Sequence, residues 1–300
     1  MPAYSATVKV PGTCGELVQG TLDGIHFHVT CPIDIYSEAR VEVASLTCYD
    51  GCSHRFSFPP DRPKSAEAVQ KTVRFLGYSD IKLGLDLRSS LPLAKGMASS
   101  TADVAASIEA TALALGKKLD EKDVARIALS VEPTDGCFFP GIALFDHREG
   151  KLFELLGDPP PMEILVLDFG GEVDTLAFNR VDRTVLLRSL EPRFKEALEM
   201  ARQGLKSGDA RLIGEAATLS ARTHQAVLHK PQLERVIQLA KEVGAAGVNI
   251  AHSGTVIGVL QDARKLDKSE AAGFFQKHLP DLEKITPCSL TSGGSIVCNS

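Results

Sequence analysis

The chain has 300 residues, of which 44% are hydrophobic and 24% are charged, with a formal net charge of −5. This balance is typical of a globular protein, and without a lysine- or arginine-rich run we expect no nucleic-acid partner. No apolar run approaches the ~20 residues that a membrane-spanning helix needs. The N-terminus also lacks a basic region followed by an apolar core, so we expect neither a membrane partner nor a secretory signal.

The cysteines indicate the redox state of the chain. There are seven, an odd number without framework spacing, which predicts reduced thiols and a cytoplasmic location. Cys48, Cys52 and His54 are spaced as zinc ligands could be, but no second pair completes the set. We therefore expect a hairpin tip that turns at Asp50 and Gly51 and simply carries thiols.

Periodicity predicts the elements of the first half. Alternating apolar residues predict strands at 4–10, 26–31, 35–44 and 81–87, with a turn at Pro11 and Gly12 after the first. Helices are expected at 64–76, 104–115 and 120–131, and a further strand at 138–145. Three prolines then follow Asp158 and can continue neither helix nor sheet, which predicts a boundary between domains 1–158 and 162–300.

The second half changes pattern. An apolar strand at 164–168 precedes three helices, at 192–206, 210–228 and 232–243. Strands at 247–251 and 256–260, a helix at 268–278 and a strand near 295–298 complete the chain. This order of elements predicts an α+β fold class with two domains.

The stretch LPLAKGMASSTAD, at residues 91–103, lies between a predicted strand and a predicted helix. Small residues let a backbone approach a ligand closely, and a helix start offers free N–H groups and a positive dipole end to an anion. Ser99, Ser100 and Thr101 would equally suit a plain helix N-cap. The order of Lys95 and Gly96 is wrong for a Walker-type loop, and a single glycine excludes the dinucleotide pattern.

Three segments in order resemble the motifs of the GHMP small-molecule kinases. The second motif of that family is matched by Pro92-x-x-x-Gly96-Met97-x-Ser99-Ser100-Thr101, the first by VPGTCGEL at 10–17, and the third by AGVNIAHSGTV at 246–256. The strings PGTCGELVQG, SVEPTDG and AHSGT are similar to those of the L-threonine kinase branch, which serves cobalamin synthesis.

The resemblance implies a two-lobed fold with a ferredoxin-like C-terminal domain, with ATP and Mg²⁺ held between the lobes. It assigns catalytic roles to Asp135, Glu132 and Ser99, and Mg²⁺ to Ser100 and Glu132. The residues expected at the nucleotide are Pro92, Lys95, Gly96, Met97, Ala98, Ser99, Ser100, Thr101 and Asp103. The residues expected at the acceptor are Thr13, Glu16, Gln19, His252, Ser253 and Gly254.

Several of these assignments have plain alternatives. Glu132 and Asp135 could be solvated carboxylates at a helix exit, and their two-residue spacer is shorter than the family's usual one. Asp103 is explained equally well by capping of its helix start. Glu16 could be a solvated loop residue. Thr13 stands where other members carry a lysine or arginine, which leaves less assistance to a base, as in homoserine kinases.

The expected activity is ATP-dependent phosphorylation of L-threonine to O-phospho-L-threonine, with L-threonine and ATP as small-molecule partners. The alternatives are the same chemistry on homoserine or another small alcohol, and a nucleotide-binding regulator without catalysis. The sequence leaves the oligomeric state open, a homodimer included.

Overall fold

The structure, a computed structural model, describes residues 5–43, 57–79, 81–171, 181–265 and 268–298. The strands are β1 (Ser5–Leu22), β2 (Ile25–Val43), β3 (Leu83–Ser89), β4 (Ile142–Phe145), β5 (Phe153–Gly157), β6 (Met162–Asp168), β7 (Gly247–Ile250), β8 (Ile257–Asp262), β9 (Lys284–Ser289) and β10 (Ile296–Cys298). The helices are α1 (Pro63–Phe75), α2 (Ser99–Ala114), α3 (Glu121–Val131), α4 (Thr184–Ser207), α5 (Ala210–His224), α6 (Leu233–Glu242) and α7 (Lys268–His278). The expected hairpin tip at Cys48, Asp50, Gly51 and Cys52 lies outside these residues.

The described strands form one sheet in the order β5-β4-β2-β1-β7-β8-β6-β9, with β10 also paired to β1 and β3 to β2. We call β1–β5, β10 and α1–α3 the first lobe, and β6–β9 and α4–α7 the second lobe. The pairing of Glu16 in β1 with Ile250 in β7 joins the two halves of the sheet. Helices and antiparallel strands thus combine in a two-domain α+β fold, which confirms the predicted class.

Helix α2 is buried on nearly all sides. It packs against β1, β2, α1 and α3, and its alanines allow those elements to approach closely. Val104 and Ile108 have no exposed surface. A helix that is apolar all round belongs in a core, so the position of its first turn is fixed by packing on every side.

The first strand differs from its prediction. The structure has no turn at Pro11 and Gly12, because β1 continues through them and stays paired to β2. Register shifts between Pro11 and Thr13, Thr13 and Glu16, and Glu16 and Val18 absorb the irregular residues as bulges. The predicted turn is therefore wrong, and the segment is a bulged central strand that changes the direction of its side chains along its length.

The bounds of other strands and helices also differ from the predicted ones. The two strands predicted at 26–31 and 35–44 are the single strand β2, while β5 and β9 had no predicted counterpart. Helix α4 begins at Thr184 and contains Pro192, whereas the sequence rule places a proline in the first turn. The strand predicted from 138 begins only at Ile142.

The described residues also give information on membrane-spanning helices and on the cysteines. No helix there is both long and apolar enough to cross a bilayer. Cys14, Cys31, Cys137 and Cys298 are free thiols.

Candidate active site

The loop at residues 91–98 connects β3 to α2 and has an unusual backbone. Ala94, Gly96 and Ala98 have positive φ angles of 58°, 80° and 52°, and Pro92 in the same loop is exposed. Ala98 is the N-cap of α2, and no side chain caps the helix. Ser99, Ser100 and Thr101 are therefore not the plain N-cap that the sequence also allowed. They form the first helical turn, whose amide N–H groups favour an anion.

The loop turns its carbonyl groups toward the protein. The oxygen of Met97 accepts a hydrogen bond from the N–H of Thr13 (3.1 Å), and the oxygen of Lys95 accepts one from the N–H of Thr255 (3.1 Å). Because these oxygens are engaged by both lobes, they do not repel an anion placed at the helix start.

Gly96 lies where the lobes come closest. A Cβ on Gly96 would be 2.3 Å from the Cβ of Ala251 and 2.9 Å from the Cα of Gly254. Lys230 donates to the carbonyl oxygen of Gly254 from the other side. The turn at 252–255 in the second lobe thus packs directly on the loop, and only glycine fits at this contact.

Ser100 and Glu132 meet at the start of α2. The hydroxyl of Ser100 donates to one carboxylate oxygen of Glu132, and Lys64 pairs with the other. Magnesium prefers hard oxygen ligands of this kind, usually one or two from the protein. Ser99 is buried, and its Oγ lies 3.5 Å from the carbonyl oxygen of Leu91, so Ser100 is the serine that the structure brings to the glutamate.

Asp135 is held at the same helix end by different contacts. Its backbone N–H donates to the Oγ1 of Thr101 (3.2 Å). One oxygen of its carboxylate lies 2.8 Å from the Nδ1 of His28 in β2. The carboxylate is thereby fixed on the side of α2 that faces β1 and β2.

Glu16 is a buried carboxylate beside Asp135. Its side chain is 4% exposed, and one of its oxygens lies 3.5 Å from the same Nδ1 of His28. Ligand atoms of Glu16, His28 and Asp135 all lie within 4.8 Å of one another. Burial raises the pKa of Glu16 well above its usual value, and the charge of Asp135 raises it further.

Among the buried polar atoms here that lack a hydrogen-bond partner among the described residues, two lie at the acceptor end of the site. They are the second carboxylate oxygen of Glu16 and the hydroxyl of Thr13, both buried. Unpaired buried polar atoms are costly, and they are suited to a polar ligand. Glu16 is therefore not the solvated loop residue that the sequence also allowed.

Gln19 links β1 to the turn after β7. Its side-chain nitrogen donates to the carbonyl oxygen of Ile250 (3.3 Å), and its oxygen lies 2.7 Å from the Nδ1 of His252. Ser253, next in the same turn, is half-buried. Gln19 thus holds the side chain of His252 in place from β1.

Two residues that the sequence assigned to the nucleotide have other partners. The carboxylate of Asp103 accepts from Ser37 and lies 3.5 Å from Arg62, so it ties α2 to β2 and α1. The ammonium group of Lys95 lies 3.1 Å from Asp168 in the second lobe. The structure does not bring either side chain to Ser100 or Asp135.

Sequence reasoning overlooked His28 and His147. Their rings stack at 3.8 Å beside Asp135. The register of the first hairpin places His28 opposite Gln19, so correct pairing of β1 and β2 would have found it. His147 follows β4 in the loop after it, and nothing local in the sequence distinguishes it.

The site therefore combines an uncapped helix start, a hard-oxygen pair, the buried carboxylate of Glu16 and the half-buried carboxylate of Asp135. These are the parts that phosphoryl transfer to a hydroxyl requires: an anion site, a place for charge neutralisation and a group that orients the acceptor.

Comparison with known proteins identifies the family of the chain. The family model "GHMP kinases N terminal domain" matches residues 64–139, and "GHMP kinases C terminal" matches residues 201–279. An L-threonine kinase of Salmonella typhimurium is 35% identical over 89% of this chain and 87% of its own length. Another, of Citrobacter freundii, is 34% identical over 87% of this chain and 88% of its own.

Solved structures share the fold. A homoserine kinase of Cytophaga hutchinsonii matches 99% of this chain and 98% of its own, with a TM-score of 0.72 and 17% identity. The chain belongs to the GHMP kinase family, and it is an ATP-dependent kinase that acts on an alcohol.

Proposed function

We propose that the chain phosphorylates the side-chain hydroxyl of L-threonine, using ATP and Mg²⁺, to give O-phospho-L-threonine. Its similarity to two L-threonine kinases over most of both chains supports this substrate. We further propose that the product serves the aminopropanol arm of cobalamin biosynthesis.

The single observation that carries the proposal is the pairing of Glu16 with Asp135. Their carboxylate oxygens lie within 4.8 Å of each other, so one small molecule can reach both. In threonine the ammonium and the hydroxyl lie on adjacent carbons, whereas in homoserine a further methylene separates them. The short separation of the carboxylates favours the vicinal amino alcohol.

The residues then have distinct roles. The free oxygen of Glu16 accepts hydrogen bonds from the substrate ammonium, a charge-assisted contact. Asp135 holds the hydroxyl in line for transfer and accepts its proton. The orientation of Asp135 depends on Thr101 and His28, which fix its backbone and its side chain.

The nucleotide end uses the start of α2. Residues 96–101 place amide N–H groups around the phosphates of ATP, and the helix dipole favours their charge. Ser100 and Glu132 would hold Mg²⁺, which neutralises phosphate charge when it is bound. The donor set fits that ion, because both side chains offer oxygen and already lie in contact.

A substrate panel tests the proposal. L-threonine, L-serine, L-homoserine and D-threonine are supplied with ATP, ADP release is measured, and the product is identified by mass spectrometry. We expect turnover to be highest with L-threonine. Comparable turnover of homoserine would remove the threonine assignment.

A variant distinguishes a catalyst from a nucleotide-binding regulator. Asp135→Asn should still bind ATP but lose at least about 100-fold in turnover, because general-base contributions are of that order or larger. Asp86→Asn, on the exposed surface of β3, is the control and should keep full turnover. Unchanged turnover in Asp135→Asn would contradict the role of that residue.

A further inference from the structure

Three histidines from separate elements meet beside Asp135. His28 lies in β2, His147 follows β4, and His252 lies in the turn after β7. One possible ligand atom from each ring lies within 4.8 Å of the other two. We propose that these three imidazoles form a binding site for a divalent transition-metal ion of the zinc class, separate from the magnesium ligands Ser100 and Glu132.

Hydrogen bonds to the outer nitrogens support this assignment. The Nδ1 of His28 lies 2.8 Å from a carboxylate oxygen of Asp135, and the Nδ1 of His252 lies 2.7 Å from the amide oxygen of Gln19. Since both oxygens accept, each Nδ1 carries the proton and each Nε2 keeps its lone pair. Metal-binding histidines have this outer arrangement almost without exception.

The burial of the three histidines also supports a metal site. His28 is 3% exposed and His147 7%. The Nε2 of His28 and the Nδ1 of His147 have no hydrogen-bond partner among the described residues. A buried polar atom without a partner costs about 1–3 kcal/mol, and coordination to an ion would satisfy both.

The charge of the surroundings favours a cation over an anion. Glu16 and Asp135 are acidic groups next to His28. A site with these acidic neighbours does not suit a phosphate or a carboxylate ligand.

The type of ligand determines the type of ion. Imidazole nitrogen suits zinc and its neighbours in the first transition row, whereas magnesium prefers oxygen. A tetrahedral zinc ion about 2.1 Å from each nitrogen needs those nitrogens roughly 3.4 Å apart. The rings of His28 and His147 stack with an interplanar angle of 14°, so binding requires side-chain rotation that turns the two ring planes apart.

The experiment uses cobalt as a spectroscopic substitute for zinc. The full-length chain is freed of metal with a chelator and titrated with CoCl2 in a buffer with excess MgCl2, which occupies oxygen-ligand sites. We expect a saturable visible absorption band at one equivalent, which ZnCl2 removes by displacement. No saturable band in this buffer would overturn the proposal.

Variants assign the ligands. His147→Gln should weaken cobalt binding at least about 100-fold, since loss of an outer-shell partner alone costs 10–100-fold. Two controls should bind cobalt as the unmodified chain does: His278→Gln, on α7 near Phe274, and Glu132→Gln, at the magnesium ligands. Equal affinity in His147→Gln would overturn the assignment. If circular dichroism shows that this variant is unfolded, His252→Gln takes its place under the same criterion.

Discussion

Only two residues separate Glu132 from Asp135 in the chain, yet the two carboxylates contact different neighbours. Glu132 ends α3 with an extended backbone, at φ −161° and ψ 164°, so its side chain reaches Ser100. Asp135 lies three residues further along the chain and is held by Thr101 and His28. An extended connection therefore lets a short spacer supply both carboxylates, and the family's longer spacer is not needed for this geometry.

At the same scale, we expect Glu16→Gln to affect the acceptor and not the nucleotide. A hydrogen bond to a charged group contributes about 1.5–3 kcal/mol, so the KM for L-threonine should rise about 10- to 100-fold. The KM for ATP should stay within about 2-fold, since the proposed site of the ATP phosphates is the start of α2. Steady-state kinetics with each substrate varied in turn measures both constants.

Glu38→Gln is the matched control for that substitution. Glu38 lies in β2, where it pairs with Lys9 at the surface, and its removal should change neither constant. A rise in the KM for ATP in Glu16→Gln, with the KM for threonine unchanged, would contradict the assignment of Glu16 to the ammonium group.

At the scale of the element, the sequence predicted the strand, loop and helix around Ser99–Thr101 because that information is local. Small residues, one glycine and an alanine-rich helix lie together in the chain. The position of Glu16 depends instead on bulges in β1, and that of His28 on the register between β1 and β2. Bulges and register depend on contacts between distant residues, so local patterns could not predict the acceptor end in the same detail.

The loop at 91–98 yields a prediction that separates backbone strain from a steric clash. Gly96 has φ of 80° and would place a Cβ 2.3 Å from Ala251, whereas Gly77 has φ of 79° with nothing within 4 Å. Gly77→Ala should cost only the strain of that conformation, about 1–2 kcal/mol. Gly96→Ala should cost about 1–3 kcal/mol more because neighbouring atoms must move.

Chemical denaturation measures both costs, and kinetics adds a second measurement. A shift of about 1 Å at the start of α2 can reduce turnover about 100-fold, so Gly96→Ala should lose activity while Gly77→Ala keeps it. Equal losses of stability in the two variants would show that the atoms around Gly96 make room for the extra methyl group at no added cost.

The contact between α2 and the segment before β10 should depend on pH. Glu109 in α2 accepts a hydrogen bond from Ser295, and burial raises the pKa of its carboxyl to about 7. The folded state therefore holds a proton that the unfolded state releases near its ordinary pKa of 4.5. Stability is lost as the pH rises through that interval, by at most about 3 kcal/mol.

Glu109→Gln removes the titration. We expect it to be about 1–3 kcal/mol more stable than the unmodified chain at about pH 8 and nearly equal to it at about pH 4.5, as measured by urea denaturation. Because burial is the main cause of the raised pKa, Ser295→Ala should keep the dependence on pH. A difference between Glu109→Gln and the unmodified chain that is the same at both pH values would contradict this explanation.

At the scale of the whole molecule, the two lobes share one sheet, and the chain returns from the second lobe to the first. β10, at the end of the described chain, returns to pair with β1 of the first lobe, and β1 also meets β7 of the second. The loop at 91–98 lies where the lobes touch. The predicted boundary between 158 and 162 stays a prediction, but the site depends on both sides of it.

Lys95 tests how the lobes are joined. Its ammonium group lies 3.1 Å from Asp168 and 3.0 Å from the carbonyl oxygen of Gly171, both in the chain of the second lobe. A role in joining the lobes predicts that Lys95→Ala and Asp168→Asn each destabilise the fold by about 1 kcal/mol. It also predicts that the double variant loses less than the sum, because the two side chains act on each other.

A role at the nucleotide predicts a different result, so the same variants decide between the two. If Lys95 contacts a phosphate, Lys95→Ala should raise the KM for ATP about 10-fold or more, while Asp168→Asn should not. From the observed ion pair we expect the KM for ATP to change by less than about 3-fold in both variants. We also expect the losses of stability in the two single variants to add up to more than the loss in the double variant. The first result would return Lys95 to the nucleotide site that its place in the loop predicted, with the ion pair as its resting position before ATP binds.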